Sequence, residues 1–284
     1  MQGGAGLLMD QRARLDGQVA VVVGASRGIG RAAAVRLASA GATVAVVARG
    51  RAGLEETAAA ARSGGAEVVA FEADAADWES VAHAAENVAR TLRPPNIVVF
   101  TAGVLEPVGE CWEVDPRQWA DNIKIDLVGA FHTARAFLPA MVERGSGTLI
   151  FTSSGAAVHT VPGWSAYCAA KAGLDHFVHN LAAELDERGT SVRAHILYPG
   201  ITDTRMQEEI RTMNESRFPD VGRFREYHRR GLLRPPEEPA VLIWWLATPM
   251  AADLRGKVAN MDDPVILRRV SRDLGLPQFS THSR

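Results

Sequence analysis

The sequence predicts an α/β fold: a single-domain, doubly wound parallel sheet of about seven strands with helices on both faces. Three observations lead there. Apolar β-branched runs alternate with alanine-rich amphipathic runs along most of the chain. A glycine-rich turn, GASRGIG at Gly24 to Gly30, joins the first apolar run to the first helical one. A chain of 284 residues with 47% hydrophobic content can also bury a substantial core as one domain, although length alone would permit two.

The first strand is expected near Val19 to Val23, a continuous apolar run after Gly17. Gly24 then allows a tight turn, Gly28 lets the backbone approach a pyrophosphate, and Gly30 lets the following helix pack against the strand. The alanine-rich stretch Arg31 to Ala40 supplies that helix, whose N-terminus offers unpaired amides to an anion; a merely structural turn is the alternative. Further strands are expected at Thr43 to Val47, Glu67 to Phe71, Ile97 to Phe100, Thr148 to Thr152, Val192 to Leu197 and Lys257 to Met261, with crossover helices between them. Long helical stretches run from Trp119 to Met141 and from Trp164 to Leu185. Periodicity stops between Thr202 and Arg234, a segment crowded with arginines and acids, before Pro235 and Pro236 precede another helix. Beyond it, Asp263 can cap a helix starting at Pro264, with Ile266, Leu267, Val270 and Leu274 at helical spacing and Gly275 as its stop. That stripe needs a partner surface, and a subunit interface or the substrate cleft is expected, with docking on its own subunit as the alternative.

A formal net charge of −2 gives no nucleic-acid footprint. Two cysteines, Cys111 and Cys168, are too few for a disulfide framework, and Cys168 reads as a packing residue rather than a nucleophile. No stretch is apolar for long enough to span a bilayer, and Met1 to Leu15 lacks a secretory layout. A cytoplasmic protein is expected, with residues 1–14 a flexible extension, 15–262 the domain, and 263–284 a C-terminal extension with a short helix.

Chemistry concentrates in Ser154, Tyr167 and Lys171. Tyr167 and Lys171 are four residues apart in SAYCAAKAGL, so both side chains should share one helix face. A free tyrosine, with a pKa of about 10, is a poor base at neutral pH, and a neighbouring ammonium favours its phenolate. The pair can therefore give or take a proton. Ser154 closes the strand-like segment TLIFTSSG, where its hydroxyl can donate to a substrate oxygen.

Taken together in order and spacing, these motifs resemble the short-chain dehydrogenase/reductase family over roughly Leu15 to Met261. The residues that carry the resemblance are GASRGIG, Asp74 after the third strand, TAG at Thr101 to Gly103, Ser154 thirteen residues before Tyr167, Lys171, and PGITDT at Pro199 to Thr204. The resemblance implies a Rossmann-type fold, a nicotinamide cofactor and hydride transfer at a carbonyl carbon. Tyr167 would be the proton donor, Ser154 would hold the oxygen, and Lys171 would lower the tyrosine pKa and bind the ribose. Gly24, Ser26, Arg27, Gly28, Ile29 and Gly30 would cradle the cofactor phosphates; Asp74 and Ala75 would meet the adenine; Ala102 and Gly103 would line the cofactor; Pro199, Gly200, Thr202 and Thr204 would wrap the nicotinamide. No metal site is implied. The break at about 202–235 is where the family places its substrate lid, a solvated surface insertion being the alternative.

The family's NAD-selective members carry an acidic residue where this chain has Ala48, followed by Arg49. Arg49 and Arg27 together match a 2′-phosphate, so NADP(H) is the expected cofactor and carbonyl reduction the expected direction. Three departures stand out. Asp126 occupies the place of the family's asparagine, the usual NNAG is FTAG, and Asp263 and Pro264 replace a glycine pair. As an anion Asp126 would steady Lys171 as a cation and raise the tyrosine pKa; a neutral, hydrogen-bonded Asp126 is the alternative. The lid arginines would suit an anionic or polyoxygenated substrate, or simply be solvated. Self-association as a homotetramer or homodimer through the two long helices is implied. The alternatives to a small-molecule ketoreductase are a reductase of an iminium or hemiaminal carbon, and a non-catalytic NADP-binding regulatory protein.

Overall fold

Every strand of the sheet runs parallel to its neighbours, in the order β3-β2-β1-β4-β5-β6-β7. The structure is a computed structural model and describes residues 11–279. Its strands are β1 (Val19–Val23), β2 (Thr43–Ala48), β3 (Val68–Glu72), β4 (Ile97–Phe100), β5 (Ser146–Thr152), β6 (Ser191–Tyr198) and β7 (Val258–Asn260). Each lies within two residues of its expected ends. Val21 pairs with Ala45 on one side and Val98 on the other, so the chain reverses its direction of growth at β1. Such a switch point opens a crevice at the carboxyl ends of the strands.

The continuous apolar runs follow from burial on both faces. In β1, Ala20 and Val22 pack into one core layer while Val19, Val21 and Val23 pack into the other. Helices α1 (Gly28–Ser39), α2 (Arg51–Arg62), α9 (Glu237–Ala247) and α10 (Pro264–Leu274) cover the first face. The second is covered by α3 (Trp78–Leu92), α5 (Gly129–Arg144) and α6 (Ser165–Glu187). A short helix, α4 (Pro116–Ile123), leads into α5 through one π-helical turn, Lys124–Val128.

Three expectations change. The ordered fold reaches back before residue 15: Ala13 and Leu15 are fully buried, and the Ala13 carbonyl accepts a 2.7 Å bond from Trp244 Nε1. Residues 1–10 and 280–284 of the two expected extensions lie outside the described residues. The stretch from Thr202 to Arg234 is not aperiodic, because it holds α7 (Arg205–Thr212) and α8 (Val221–Arg229). These helices bury only narrow inner stripes, Gln207 with Ile210 and Val221 with Phe224, which the surrounding charges mask in sequence. Finally, α10 is capped by Asp263 as expected, but its stripe of Ile266, Leu267, Val270 and Leu274 docks on its own subunit. Trp245 of α9 explains the choice: its Nε1 donates to Asp273 at 3.1 Å and its ring lies 4.9 Å below the Arg269 guanidinium.

Candidate active site

One cleft of about 1430 Å³ runs along the carboxyl ends of the strands, more than the roughly 300–1,000 Å³ of a pocket for one small ligand. It is lined by all the expected site residues except Asp126, which lies behind Lys171.

At the β1 end the backbone does the shaping. Gly24 has φ +87°, and a Cβ there would stand 2.4 Å from the Ala102 nitrogen. A Cβ on Gly30 would meet the Gly24 oxygen at 2.3 Å and Thr101 Oγ1 at 2.5 Å. Thr101 also donates to the Val23 carbonyl at 2.9 Å, so the threonine of FTAG ties β4 to the glycine-rich turn. Arg27 precedes α1 in extended backbone, and no side chain caps the helix. The first-turn amides are thus left for an anion, and a dinucleotide pyrophosphate fits there. At the end of β2, Ala48 brings no carboxylate, and the exposed Arg49 guanidinium lies 3.9 Å from Asp74 Oδ2.

Further along the cleft, side chains from distant segments converge. The π turn after α4 brings Asp126, fully buried, to Lys171 of α6: Oδ2 lies 3.0 Å from Nζ, and Oδ1 accepts from the Val104 amide at 2.8 Å. Lys171 Nζ also donates to the Thr152 carbonyl at 3.3 Å and stands 5.4 Å from the Tyr167 ring centre. Ser154 follows β5, accepts from the Ala156 amide at 3.2 Å, and stands close enough to the Tyr167 phenol to lower its pKa. The four residues form one connected group.

Electrostatics refine the expectation for Tyr167. Burial pushes its pKa up, Lys171 pulls it down, Asp126 pushes it up again, and Ser154 pulls it down. Burial wins, so the phenol lies above its ordinary value rather than being lowered toward neutrality. Lys171 is held up as a cation against its burial, by Asp126 and then Tyr167. Burial raises Asp126 against the pull of Lys171 and the Val104 amide. Two donors on one carboxylate favour its anion, so the pair reads as ionic. Tyr198, also buried, is committed elsewhere: its hydroxyl donates to Asp175, and burial and that carboxylate together raise its pKa. Burial likewise raises the Cys168 thiol, which fits packing rather than nucleophilic chemistry.

Sequence reasoning missed two supports. Asn122 is 1% exposed and donates to the carbonyls of Val104 (3.0 Å), Leu105 (3.3 Å) and Glu106 (2.9 Å), fixing the cleft wall after β4. Arg234, its side chain 3% exposed, binds Glu238 at 3.0 Å and Asp262 at 3.2 Å and bridges Thr202, tying the loop after β6 to α9 and to the segment after β7. An asparagine inside a helix and an arginine among many carry no signal for either role.

Over the cleft, α7 and α8 bring an aromatic group together. Trp164 stacks on Phe218 at 5.3 Å, contacts Phe224 at 5.4 Å and meets Tyr167 edge-on at 5.7 Å. Six arginines of this segment are matched with acids: Arg205 with Glu209, Arg211 with Asp203, Arg217 with Glu106, Arg223 with Asp220, Arg225 with Glu215 and Arg229 with Glu226. Among the described residues no helix is long and apolar enough to cross a membrane, and no group of three or more His, Cys, Asp or Glu is placed to hold a metal.

A sequence profile of the short chain dehydrogenases matches residues 18–215. The chain is 32% identical over 243 residues to the 3-oxoacyl-[acyl-carrier-protein] reductase FabG of Pseudomonas aeruginosa, covering 85% of this chain and 94% of that one. It is also 32% identical over 273 residues to Rv0687 of Mycobacterium tuberculosis, named an uncharacterized NAD-dependent oxidoreductase, covering 88% and 95%. Among solved structures, the KRED1-Pglu enzyme superposes with a TM-score of 0.76 at 32% identity, covering 85% of this chain and all of that one.

Proposed function

We propose, since the chain belongs to the short-chain dehydrogenase/reductase family, that it is an NADPH-dependent ketoreductase with Tyr167 as its general acid. The observation that carries this reading is the connected group itself: a buried phenol close to Ser154, with an ammonium beside it that Asp126 holds in place. The uncapped start of α1, with Ser26, Gly28 and Ile29, would hold the pyrophosphate, Asp74 and Ala75 the adenine, and Pro199 to Thr204 the nicotinamide end. When bound, the nicotinamide supplies the hydride.

The protein's own part is proton transfer and alignment. Tyr167 Oη keeps its proton at neutral pH and passes it to the carbonyl oxygen as negative charge grows there. Ser154 Oγ holds that oxygen with a second hydrogen bond. The Lys171 ammonium then stabilises the phenolate left behind, and α7 and α8 shield the exchange from water. Arg27 and Arg49 favour NADPH, because no carboxylate stands at Ala48 to repel a 2′-phosphate. The name of the mycobacterial relative points to NAD instead, but the charges at the ribose end of this cleft weigh more than a likeness of 32%.

The iminium alternative is weakened because Asp126 already balances Lys171, and the regulatory alternative because the catalytic group is intact. Assembly as a homotetramer in the cytoplasm completes the reading. Its support is Phe131 of α5, 48% exposed and in edge contact with Phe177 of α6.

NADPH consumption with a panel of ketones tests the activity. Tyr167→Phe should lose on the order of a thousandfold in kcat while NADPH still raises the melting temperature as in wild type. Near-normal turnover by that variant would move the acid elsewhere.

A further inference from the structure

Beyond Tyr167 part of the cleft wall is aromatic. Trp164, Phe224 and Tyr227 line it, and the rings of Phe224 and Tyr227 meet edge-on at 6.1 Å. Aromatic faces of this kind bind planar or ring-shaped groups with little entropic cost. The nearby arginines bring no net attraction for an anion, since acids lie within 4.0 Å of them.

Against this surface one side chain of α7 is out of character. Gln207 sits on the inner stripe of α7 beside Ile210, where the amphipathic pattern calls for an apolar residue, while the more exposed Arg205 and Glu209 pair with each other. It is 8% exposed, it lines the cleft, and its Oε1 is buried with no hydrogen-bond partner. Buried polar atoms are nearly always bonded, and one left open at a ligand site marks a bond that the ligand completes.

We propose that the substrate is an uncharged ring ketone carrying a second oxygen as a hydroxyl, and that Gln207 is the specificity residue that accepts from this hydroxyl. The proposal rests on the reductase reading above. The ring lies against the aromatic wall, its carbonyl reaches Tyr167 and Ser154, and the hydroxyl proton points to Gln207 Oε1. A linear acyl thioester would leave both the wall and the carboxamide unsatisfied.

Three probes test this with the full chain and NADPH: 6-hydroxy-1-tetralone, 1-tetralone and the N-acetylcysteamine thioester of acetoacetate. In wild type the hydroxylated ring should exceed the plain ring in kcat/KM by about tenfold, the worth of one neutral hydrogen bond. In Gln207→Leu, a substitution of similar size, the ratio of kcat/KM between the two rings should fall to about one. Phe224→Ala should raise KM for both rings without changing the NADPH melting shift. A preference that survives in Gln207→Leu, or a thioester turned over faster than both rings, would overturn the proposal and leave the reductase reading standing. If neither ring is turned over although NADPH binds, the ketone panel and not these probes judges the reductase reading. Competitive binding of the two tetralones to the NADPH complex then decides the pocket: tighter binding of the hydroxylated ring in wild type only supports it, and equal binding overturns it.

Discussion

The two ends of the cleft are built from different materials. From β1 to β4 the backbone shapes the site: glycines make the close approaches, Thr101 ties a strand to the turn, and the helix end is left uncapped. From α4 onward, side chains shape it: Asp126 with Lys171, Asn122 under one wall, and Arg234 under another. The first end tolerates surface change and fails when a glycine gains a Cβ. The second depends on buried charges, which are costly to leave unpaired.

Arg234 is the hardest test of that contrast. Arg234→Gln removes the cation shared by Glu238 and Asp262 and should cost about 1.5 to 3 kcal/mol, the range for hydrogen bonds to a charged group, because the two carboxylates, 20% and 30% exposed at their side chains, keep access to water. Urea unfolding would measure it. A loss under about 0.5 kcal/mol would mean that the loop after β6 is held by its backbone, as the β1 end is.

The same contrast explains what could be read in the sequence. Strands β1 to β7 were legible because burial on both faces leaves unbroken apolar runs, and GASRGIG because the contacts of Gly24 and Gly30 admit nothing larger. Ser154, Tyr167 and Lys171 were legible through spacing. The supports were not, since Asn122 meets a segment sixteen to eighteen residues away and Arg234 meets Asp262 twenty-eight away. The tail helix is legible from its cap and stripe, but a stripe does not say which surface it covers. Trp245 and Ala13 show the limit most clearly, because both depend on how α9 faces the core.

His195 on β6 extends the contrast to pH. Burial, with Arg193 adding to it, holds its pKa down at about 4 against an ordinary 6.5. Its Nδ1 donates to the Leu254 carbonyl at 3.0 Å, which sets the tautomer of the neutral ring and offsets only part of that fall. The unfolded chain therefore takes up the proton first. Its contribution is present above about pH 6.5 and is lost as pH falls toward 4. Between pH 7 and pH 5 the cost is about 2 kcal/mol. His195→Asn should be less steep over that range in urea unfolding, and an unchanged slope would place the acid sensitivity elsewhere.

At the β1 end, effects should be smaller and confined to the ligand. Arg49 is 61% exposed at its side chain, so Arg49→Ala should leave the melting temperature of the free protein unchanged. NADPH should weaken by about 1.5 kcal/mol more than NADH, the value of one charge-assisted bond at an exposed site. Titration of both cofactors decides it, and equal losses would remove the case for NADPH.

Asp126 joins the two ends, reaching from the π turn to Lys171 and to the amide after the β4 segment. Its charge works against Lys171 at Tyr167: burial raises the phenol most, the ammonium lowers it, and the carboxylate restores part of that rise. In Asp126→Asn the isosteric amide keeps the packing and removes the opposing charge, so the phenol pKa should fall. The sign is the same in both directions of the reaction. Alcohol oxidation needs the phenolate, and its activity should begin at lower pH. Ketone reduction needs the phenol, and its activity should fail at lower pH. A displacement toward lower pH is expected in the pH profiles of kcat/KM. Lys171 also loses its partner, and burial then lowers its own pKa. If the ammonium surrendered its proton in the variant, the profiles would move upward instead, because the phenolate would have lost the cation beside it. Profiles that do not move at all would show that Asp126 carries a proton in the working enzyme and holds Lys171 by a hydrogen bond alone.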